Sequence, residues 1–146
     1  MTTLADAAAL CRADEGLAVV STLSADGGIQ STMVNAAFTR HPLDDTEVVA
    51  FVTYGRVKLA NLRARPRISV TVKSSWQWAS VEGEAEIVGP DDPDERIDAE
   101  RYRLLLREVY TAAGGVHDDW EAYDRVMAEQ RRAVVFVRPL RVYSNR

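Results

Sequence analysis

The sequence predicts a mainly β domain of the α+β class, a six-stranded antiparallel barrel with short flanking helices. The chain has 146 residues, a common size for one domain with one core. Its apolar fraction of 47% and charged fraction of 27% are typical of a globular protein, so a disordered chain is excluded. Six strand-like segments occur without the regular strand and helix alternation of a doubly wound fold. We therefore expect a single domain over residues 1–146.

The first half of the chain predicts a helix followed by a strand hairpin. Apolar residues at helical spacing follow a threonine cap, and the pattern stops at Gly16. The hairpin strands are rich in β-branched residues, and the segment Ala25-Asp26-Gly27-Gly28 between them is typical of a turn. In order, we predict a helix over residues 4–14, strands over 17–24 and 29–38, a loop over 39–46 and a strand over 47–54.

The second half predicts three more helices and three more strands. Gly55 ends the preceding strand, and Pro66 ends the short helix after it because proline cannot continue helical hydrogen bonding. Alternating polar and apolar residues then predict strands with one packed face. In order, we predict a helix over 57–64, strands over 67–73 and 78–88, helices over 94–113 and 118–130, and a closing strand over 133–137.

Composition excludes several classes of protein. A lone cysteine, Cys11, cannot form an internal disulfide, and with only two histidines beside it we expect no metal site. The net charge of -4 argues against nucleic-acid binding. No stretch approaches the roughly 20 apolar residues of a membrane span, and the N-terminus lacks the basic start of a targeting signal. We expect a cytoplasmic protein without a membrane or nucleic-acid partner.

The charge is unevenly distributed along this acidic chain. No acidic residue occurs between Glu47 and Glu82, a stretch of 34 residues. The basic residues within it are Arg56, Lys58, Arg63, Arg65, Arg67 and Lys73. A local positive field in an otherwise acidic protein is a candidate anion site.

The most informative segment runs from a strand end through Gly55 into a helix that opens with Arg56 and Lys58. Free amide groups and the dipole at a helix N-terminus favour phosphate, and the two cations add to that preference. Lys58 and Asn61 are three residues apart and share a helix face. The alternative is a solvated basic helix, but the lack of acidic partners nearby in sequence favours an anion ligand.

Trp76 and Trp78 lie at strand spacing beside the hydroxyl groups of Ser74, Ser75 and Ser80. Aromatic walls with nearby donors suit a planar heterocycle, although paired tryptophans are as often found in a core or a subunit interface. Neither the glycine-rich fingerprint of a dinucleotide-binding fold nor a P-loop occurs in the sequence.

The order of these motifs resembles the pyridoxamine-phosphate-oxidase-like split barrels, and within them the actinobacterial branch that uses the deazaflavin coenzyme F-420. The resemblance covers roughly residues 10 to 143. Its most specific part is the pattern R-x-K-x-x-N-L-R-x-x-P-R, which runs from Arg56 to Arg67. The other matching segments are the hairpin turn at 26–28, the strand segment 81–85, the segment 114–123 and the terminal Arg141-Val142-Tyr143.

The resemblance implies roles for individual residues. Arg56, Lys58 and Asn61 match the ligands of the cofactor phosphate, with Thr53 nearby. Those that match the lining of the tricyclic ring are Gln30, Thr32 and Asn35, and those that match the part closed by the partner subunit are Trp76 and Trp78. A second set of basic residues, for the phosphate of a pyridoxamine phosphate substrate, is missing from the sequence.

The resemblance implies a homodimer with the cofactor site at the subunit interface and a small-molecule substrate. We expect an F-420-dependent reductase that transfers hydride from the reduced deazaflavin to a small unsaturated acceptor. In this class the cofactor performs the chemistry, which explains why no catalytic cluster of side chains is apparent. One alternative is an FMN-dependent enzyme on the same barrel. The other is a non-catalytic F-420 carrier or sensor.

Overall fold

The computed structural model describes all residues from Met1 to Arg146. The helices are α1 (Leu4–Ala13), α2 (Arg56–Ala64), α3 (Ala99–Ala112) and α4 (Trp120–Glu129). The strands are β1 (Leu17–Leu23), β2 (Ile29–Asn35), β3 (Ala37–Arg40), β4 (Glu47–Thr53), β5 (Arg67–Ser74), β6 (Gln77–Val88) and β7 (Ala133–Ser144). The fold is therefore a mainly β, antiparallel split barrel with flanking helices, as the sequence predicts.

All seven strands belong to one antiparallel sheet with the order β2-β1-β5-β6-β7-β4-β3. The predicted number of six is wrong, because the segment expected to form one strand over residues 29–38 divides at Ala36. The residues before Ala36 pair with β1, and those after it pair with β4 at the other end of the strand order. The Ala36 amide donates to the Gly16 carbonyl at 2.8 Å, which holds the chain at this crossing.

Strands β4 and β7 are buried on both faces. One face of β4, with Val49 and Phe51, packs into the barrel core beneath α1 and α2. The other face, with Val48 and Ala50, packs in a second core against α3 and α4. Double burial explains why β4 and β7 are nearly continuous apolar runs rather than alternating ones. These two strands form the rigid centre to which the site residues are attached.

Helix α1 closes the barrel. Residues at its own N-terminus cap it. Thr3 forms a capping box with Asp6, and Cys11 is buried against the β1 and β2 region. Burial raises the pKa of the Cys11 thiol to about 11. Cys11 is therefore an unreactive packing residue.

Two other boundaries differ from the sequence prediction by more than two residues. Helix α3 begins at Ala99 rather than residue 94, because Asp98 is its N-cap and the Asp94 carboxylate accepts the Arg96 amide in a separate turn. Strand β7 continues through Pro139 to Ser144. Beyond Val137 it pairs with β6 alone, so the absent amide hydrogen of Pro139 interrupts no second ladder. None of the four helices is both long and apolar enough to cross a membrane.

Gly83 lies at the register shift of β6, opposite Pro139. A Cβ atom there would collide with the Arg138 carbonyl oxygen and lie 2.8 Å from Val137 Cγ1. We expect Gly83→Ala to lower the free energy of unfolding by about 1–3 kcal/mol, because the backbone of β7 must move to accept the methyl group. Urea unfolding checks this. The control Glu84→Ala, at an exposed neighbour, should change stability by less than about 0.5 kcal/mol.

Candidate functional site

Helix α2 differs from the other three helices in how it begins. Helices α1, α3 and α4 have a side-chain N-cap and an acidic residue in the first turn. Helix α2 has neither: Gly55 is its N-cap without a side-chain bond, and Arg56 and Lys58 occupy its first turn. Cations are unfavourable next to the positive end of a helix dipole. An anion at this end would satisfy the free amide groups and offset the local charge.

Lys58 is buried, with 6% of its surface exposed, and no carboxylate pairs with it. Its Nζ donates to the Thr53 Oγ1 at 3.2 Å and lies 5.7 Å from the centroid of the Phe51 ring. Thr53 Oγ1 also accepts the Gly55 amide at 3.2 Å. The strand end and the helix start thus hold the ammonium group in place through neutral partners only.

Burial lowers the pKa of Lys58 below its usual value of 10.5. The cause is desolvation of the ammonium group, which no neighbouring negative charge offsets. A charge in this position lowers the stability of the fold unless something binds it. Lys58 therefore has the properties expected of a ligand-binding residue rather than of a stabilising ion pair.

Folding separates the basic residues of the acid-free stretch into three groups. Three form ion pairs with acidic residues from distant segments: Arg63 with Asp92, Arg67 with Glu82 and Lys73 with Asp14. Arg65 donates to the Leu23 carbonyl and the Asn61 side chain. Arg56 and Lys58, both in the first turn of α2, have no ionic partner. These two cations are therefore the candidate anion site of the stretch.

Two cavities meet at Tyr54, Gly55 and Lys58. The smaller has a volume of about 500 Å³ and is lined further by Gln30, Thr32, Arg56 and Val57. The larger has a volume of about 650 Å³ and lies between the β2 and β4 region and helices α3 and α4. Both volumes fall in the usual range for small-molecule sites.

The structure brings Gln30 and Thr32 to the same cavity as Arg56 and Lys58. Their side chains share the inner face of β2, because Thr32 pairs with the fully buried Val20. Thr32 Oγ1 is buried and has no hydrogen-bond partner. An unsatisfied buried hydroxyl and an unpaired buried cation in one cavity make this cavity a candidate site for a polar ligand.

Asn35 and Asn61 are placed differently from these residues. Asn35 lies on the opposite face of β2 from Thr32, and its amide donates to the Glu15 carbonyl at 3.3 Å, although it borders the larger cavity. Asn61 is buried and lines neither cavity. Its amide donates to Thr22 Oγ1 at 3.1 Å, so within the chain it fastens α2 to β1.

Trp76 lies in the turn between β5 and β6, Trp78 lies at the start of β6, and neither lines either cavity. Trp76 is 90% exposed, and Trp78 packs edge-on against Tyr143 with 6.1 Å between ring centroids. Within one chain they are not brought to Lys58. Their predicted place in a site shared with a partner subunit stays a prediction.

Four further residues of the larger cavity lie far from Lys58 in sequence. Tyr110 and Tyr123 supply aromatic surface, and His117 and Arg132 supply polar groups. The sequence predicts no individual role for these four residues, although His117 and Tyr123 fall in the matching segment 114–123. The one local signal is the clustering of aromatic residues around Gly114-Gly115. It does not reveal which face these aromatic residues share, and it does not include Arg132.

The fold and the site together define an antiparallel split barrel with an uncapped, cationic helix start beside a small-molecule cavity. The family model for pyridoxamine 5'-phosphate oxidase matches residues 4–144. The chain belongs to this family, which confirms the resemblance seen in the sequence.

Solved structures confirm the fold at low sequence identity. A conserved hypothetical protein from Mycobacterium tuberculosis is 22% identical with a TM-score of 0.68, over 99% of this chain and 84% of that one. An F-420 reductase is 22% identical with a TM-score of 0.60, over 87% and 88% of the two chains. A pyridoxamine 5'-phosphate oxidase-related, FMN-binding protein from Nostoc punctiforme is 13% identical with a TM-score of 0.62, over 99% and 86%.

The buried charge of Lys58 predicts an opposition between stability and binding. We expect Lys58→Met to stabilise the ligand-free protein by about 1 kcal/mol near neutral pH, because methionine fills the same space without a desolvated charge. The folded pKa lies below 10.5, so the destabilisation is present below the folded pKa and fades as pH rises toward 10.5. The difference in the free energy of unfolding between Lys58→Met and the parent should therefore decrease between about pH 7 and about pH 10.

Urea unfolding at the two pH values measures this difference. Lys73→Met is the matched control, since Lys73 is the other lysine of the chain and its side chain is 62% exposed. It should change stability by less than about 0.5 kcal/mol. A Lys58→Met variant less stable than the parent near neutral pH would show that the ammonium group stabilises the fold.

Proposed function

We propose that the chain is an F-420-dependent oxidoreductase, a reductase that transfers hydride from the reduced deazaflavin to a small unsaturated acceptor. The observation that carries the proposal is the buried Lys58, which has no anionic partner and stands at the uncapped start of α2. Membership of the pyridoxamine 5'-phosphate oxidase family supports flavin-type chemistry. The R-x-K-x-x-N-L-R pattern and the similarity to an F-420 reductase favour the deazaflavin.

The residues around α2 fit the phosphate of such a cofactor. Lys58 would supply a point charge and Arg56 a planar pair of donors, with the first amides of α2 completing the set. Asn61 holds α2 against β1, so that these donors keep their positions. The proposed roles of Gln30 and Thr32 at the tricyclic ring are supported by the free Thr32 hydroxyl in the same cavity.

When bound, a reduced cofactor of this class supplies a hydride. The chain itself provides binding and exclusion of water. The larger cavity has an apolar lining over most of its surface, and none of its residues is acidic. A largely apolar, cationic cavity favours an electron-rich ring, and a bound ring would shield a reactive acceptor from water. No buried carboxylate or cysteine is needed for this chemistry, in keeping with the unreactive Cys11.

We propose further that the protein is a homodimer with this site at the subunit interface. The outer face of β1 and β2 carries exposed apolar side chains in register: Val19 opposite Met33 and Leu23 opposite Ile29. Ile29 is 73% and Met33 62% exposed, a degree of exposure that is unusual for neighbouring large apolar residues on a sheet. Met33 also borders the larger cavity, so a partner covering this face would reach the site.

Equilibrium binding of F-420 and FMN, measured side by side by fluorescence quenching, tests the choice of cofactor. We expect F-420 to bind and to support reduction of an enone or quinone acceptor. If the purified protein contains yellow FMN at about 1:1 and does not bind F-420, the protein is the FMN-dependent enzyme instead. Tight F-420 binding with unchanged oxidation rates for every acceptor would indicate a carrier or sensor.

Lys58→Ala tests the phosphate site. Loss of one charge-assisted hydrogen bond, about 1.5 to 3 kcal/mol, should weaken F-420 binding by about ten- to a hundredfold. Lys58→Arg should restore only part of the affinity, because the guanidinium fork does not superimpose on an ammonium. Lys73→Ala, the remote lysine, should bind like the parent protein. Equal affinities for the Lys58→Ala and Lys73→Ala variants would place the anion site elsewhere.

Ile29→Lys tests the dimer. A charge on the exposed apolar face should weaken self-association by at least about tenfold, because the ammonium must be desolvated on assembly. Sedimentation velocity at micromolar concentration measures it, with the parent protein expected as a dimer. Val116→Lys is the control, since Val116 is equally apolar and 88% exposed but lies between α3 and α4. A monomeric parent protein would contradict the shared site.

A further inference from the structure

The wall of the larger cavity formed by α3 and α4 is an aromatic cluster of four rings: Tyr110, His117, Trp120 and Tyr123. Every pair among them has ring centroids between 5.1 and 6.2 Å apart, mostly tilted or edge-on. Such packing holds each ring in one orientation. The cluster is therefore a fixed wall, and three of its members border the cavity: Tyr110, His117 and Tyr123.

The tyrosine hydroxyl groups of this wall already donate hydrogen bonds to backbone carbonyls. Tyr123 donates to the Leu106 carbonyl at 2.9 Å, and Tyr110 donates to the Val116 carbonyl at 3.1 Å. Burial also raises the pKa of Tyr123 to about 12, so its hydroxyl stays neutral. These two residues thus offer the cavity ring surface rather than polar groups.

His117 is the polar member of the wall. Its Nδ1 accepts the Asp119 amide at 3.0 Å, which places the proton of the neutral ring on Nε2. Nε2 has no partner within the chain. His117 is therefore a hydrogen-bond donor available to a ligand of the larger cavity.

Arg132 is the second free polar group. Its guanidinium lies 4.2 Å from the centroid of the Tyr54 ring, and its Nε donates to Gln130 Oε1 at 2.8 Å. No carboxylate pairs with it, and none lines the cavity, although the chain contains 22 acidic residues. Stacking on Tyr54 fixes the plane of the guanidinium and leaves its terminal nitrogens free for an anionic group.

We propose that the part of the larger cavity between β4, α3 and α4 binds the substrate, and that the substrate is a flat, largely apolar molecule with one anionic group. Arg132 pairs with the anionic group, His117 donates a hydrogen bond to an oxygen of the substrate, and the rings of Tyr110 and Tyr123 contact its flat face. This assignment rests on the proposed function, since it places the hydride acceptor beside the cofactor site at Lys58.

The test uses two fluorescent probes with one ring system, applied to the cofactor-free protein. Anilinonaphthalene sulfonate carries an anionic group, and phenylnaphthylamine lacks it. We expect Arg132→Gln to weaken binding of the sulfonate by about tenfold or more and to leave the neutral probe unchanged. Arg125→Gln, at an exposed arginine of α4 without ionic partners, is the matched control and should bind both probes like the parent.

Val126→Trp gives a second, independent variant. Val126 borders the cavity, so the larger side chain should fill it and abolish the Arg132-dependent binding of the sulfonate probe. Circular dichroism shows that each variant is folded. If neither Arg132→Gln nor Val126→Trp changes the affinity for the sulfonate probe, the proposal is overturned, because the probe then binds elsewhere.

Cofactor binding distinguishes this proposal from the proposed function. Arg132→Gln should keep the parent affinity for F-420, and a tenfold loss would assign Arg132 to the cofactor and overturn the substrate role. Should the parent protein bind neither F-420 nor FMN while Arg132 still controls the sulfonate, the proposed function fails. In that case the cavity still binds flat anions, but not beside a flavin-type cofactor.

Discussion

The arrangement of this site depends on one interaction: a lysine ammonium buried at the end of β4 with neutral partners only. Lys58 is fixed by the Thr53 hydroxyl and the Phe51 ring, so its charge is positioned but not neutralised. The same end of α2 lacks a side-chain cap and an acidic first turn. Each of these features is unfavourable for the fold alone, and together they make this end of α2 the candidate anion site.

The barrel provides the rigidity that such a site requires. Thr53 is the last residue of β4, a strand packed on one side into the barrel core and on the other against α3 and α4. Asn61 fastens α2 to β1 through Thr22. The strand end that holds Lys58 and the helices that form the aromatic wall are thus both anchored at β4, so the fold sets the position of the cationic part of the cavity relative to the aromatic part.

In the folded chain, several cations that have no acidic residue nearby in sequence are paired with acidic residues from elsewhere. Acidic residues from remote loops and strands pair with the later cations of the acid-free stretch, as Asp92 does with Arg63. No acidic side chain reaches the larger cavity. In a protein of net charge -4, unpaired cations such as Lys58 and Arg132 line the two cavities and favour an anionic ligand there.

Local pattern in the sequence determined the strands, the helix after Gly55 and the cations at its start, because periodicity, turn residues and helix caps act over a few residues. Tertiary structure decided the rest. It divided one predicted strand at Ala36 and brought His117 and Arg132 to the cavity of Lys58. It also decided that Lys58 is buried and unpaired while Lys73 is exposed. Burial and ion pairing depend on segments distant in sequence, and no local pattern encodes which of them meet.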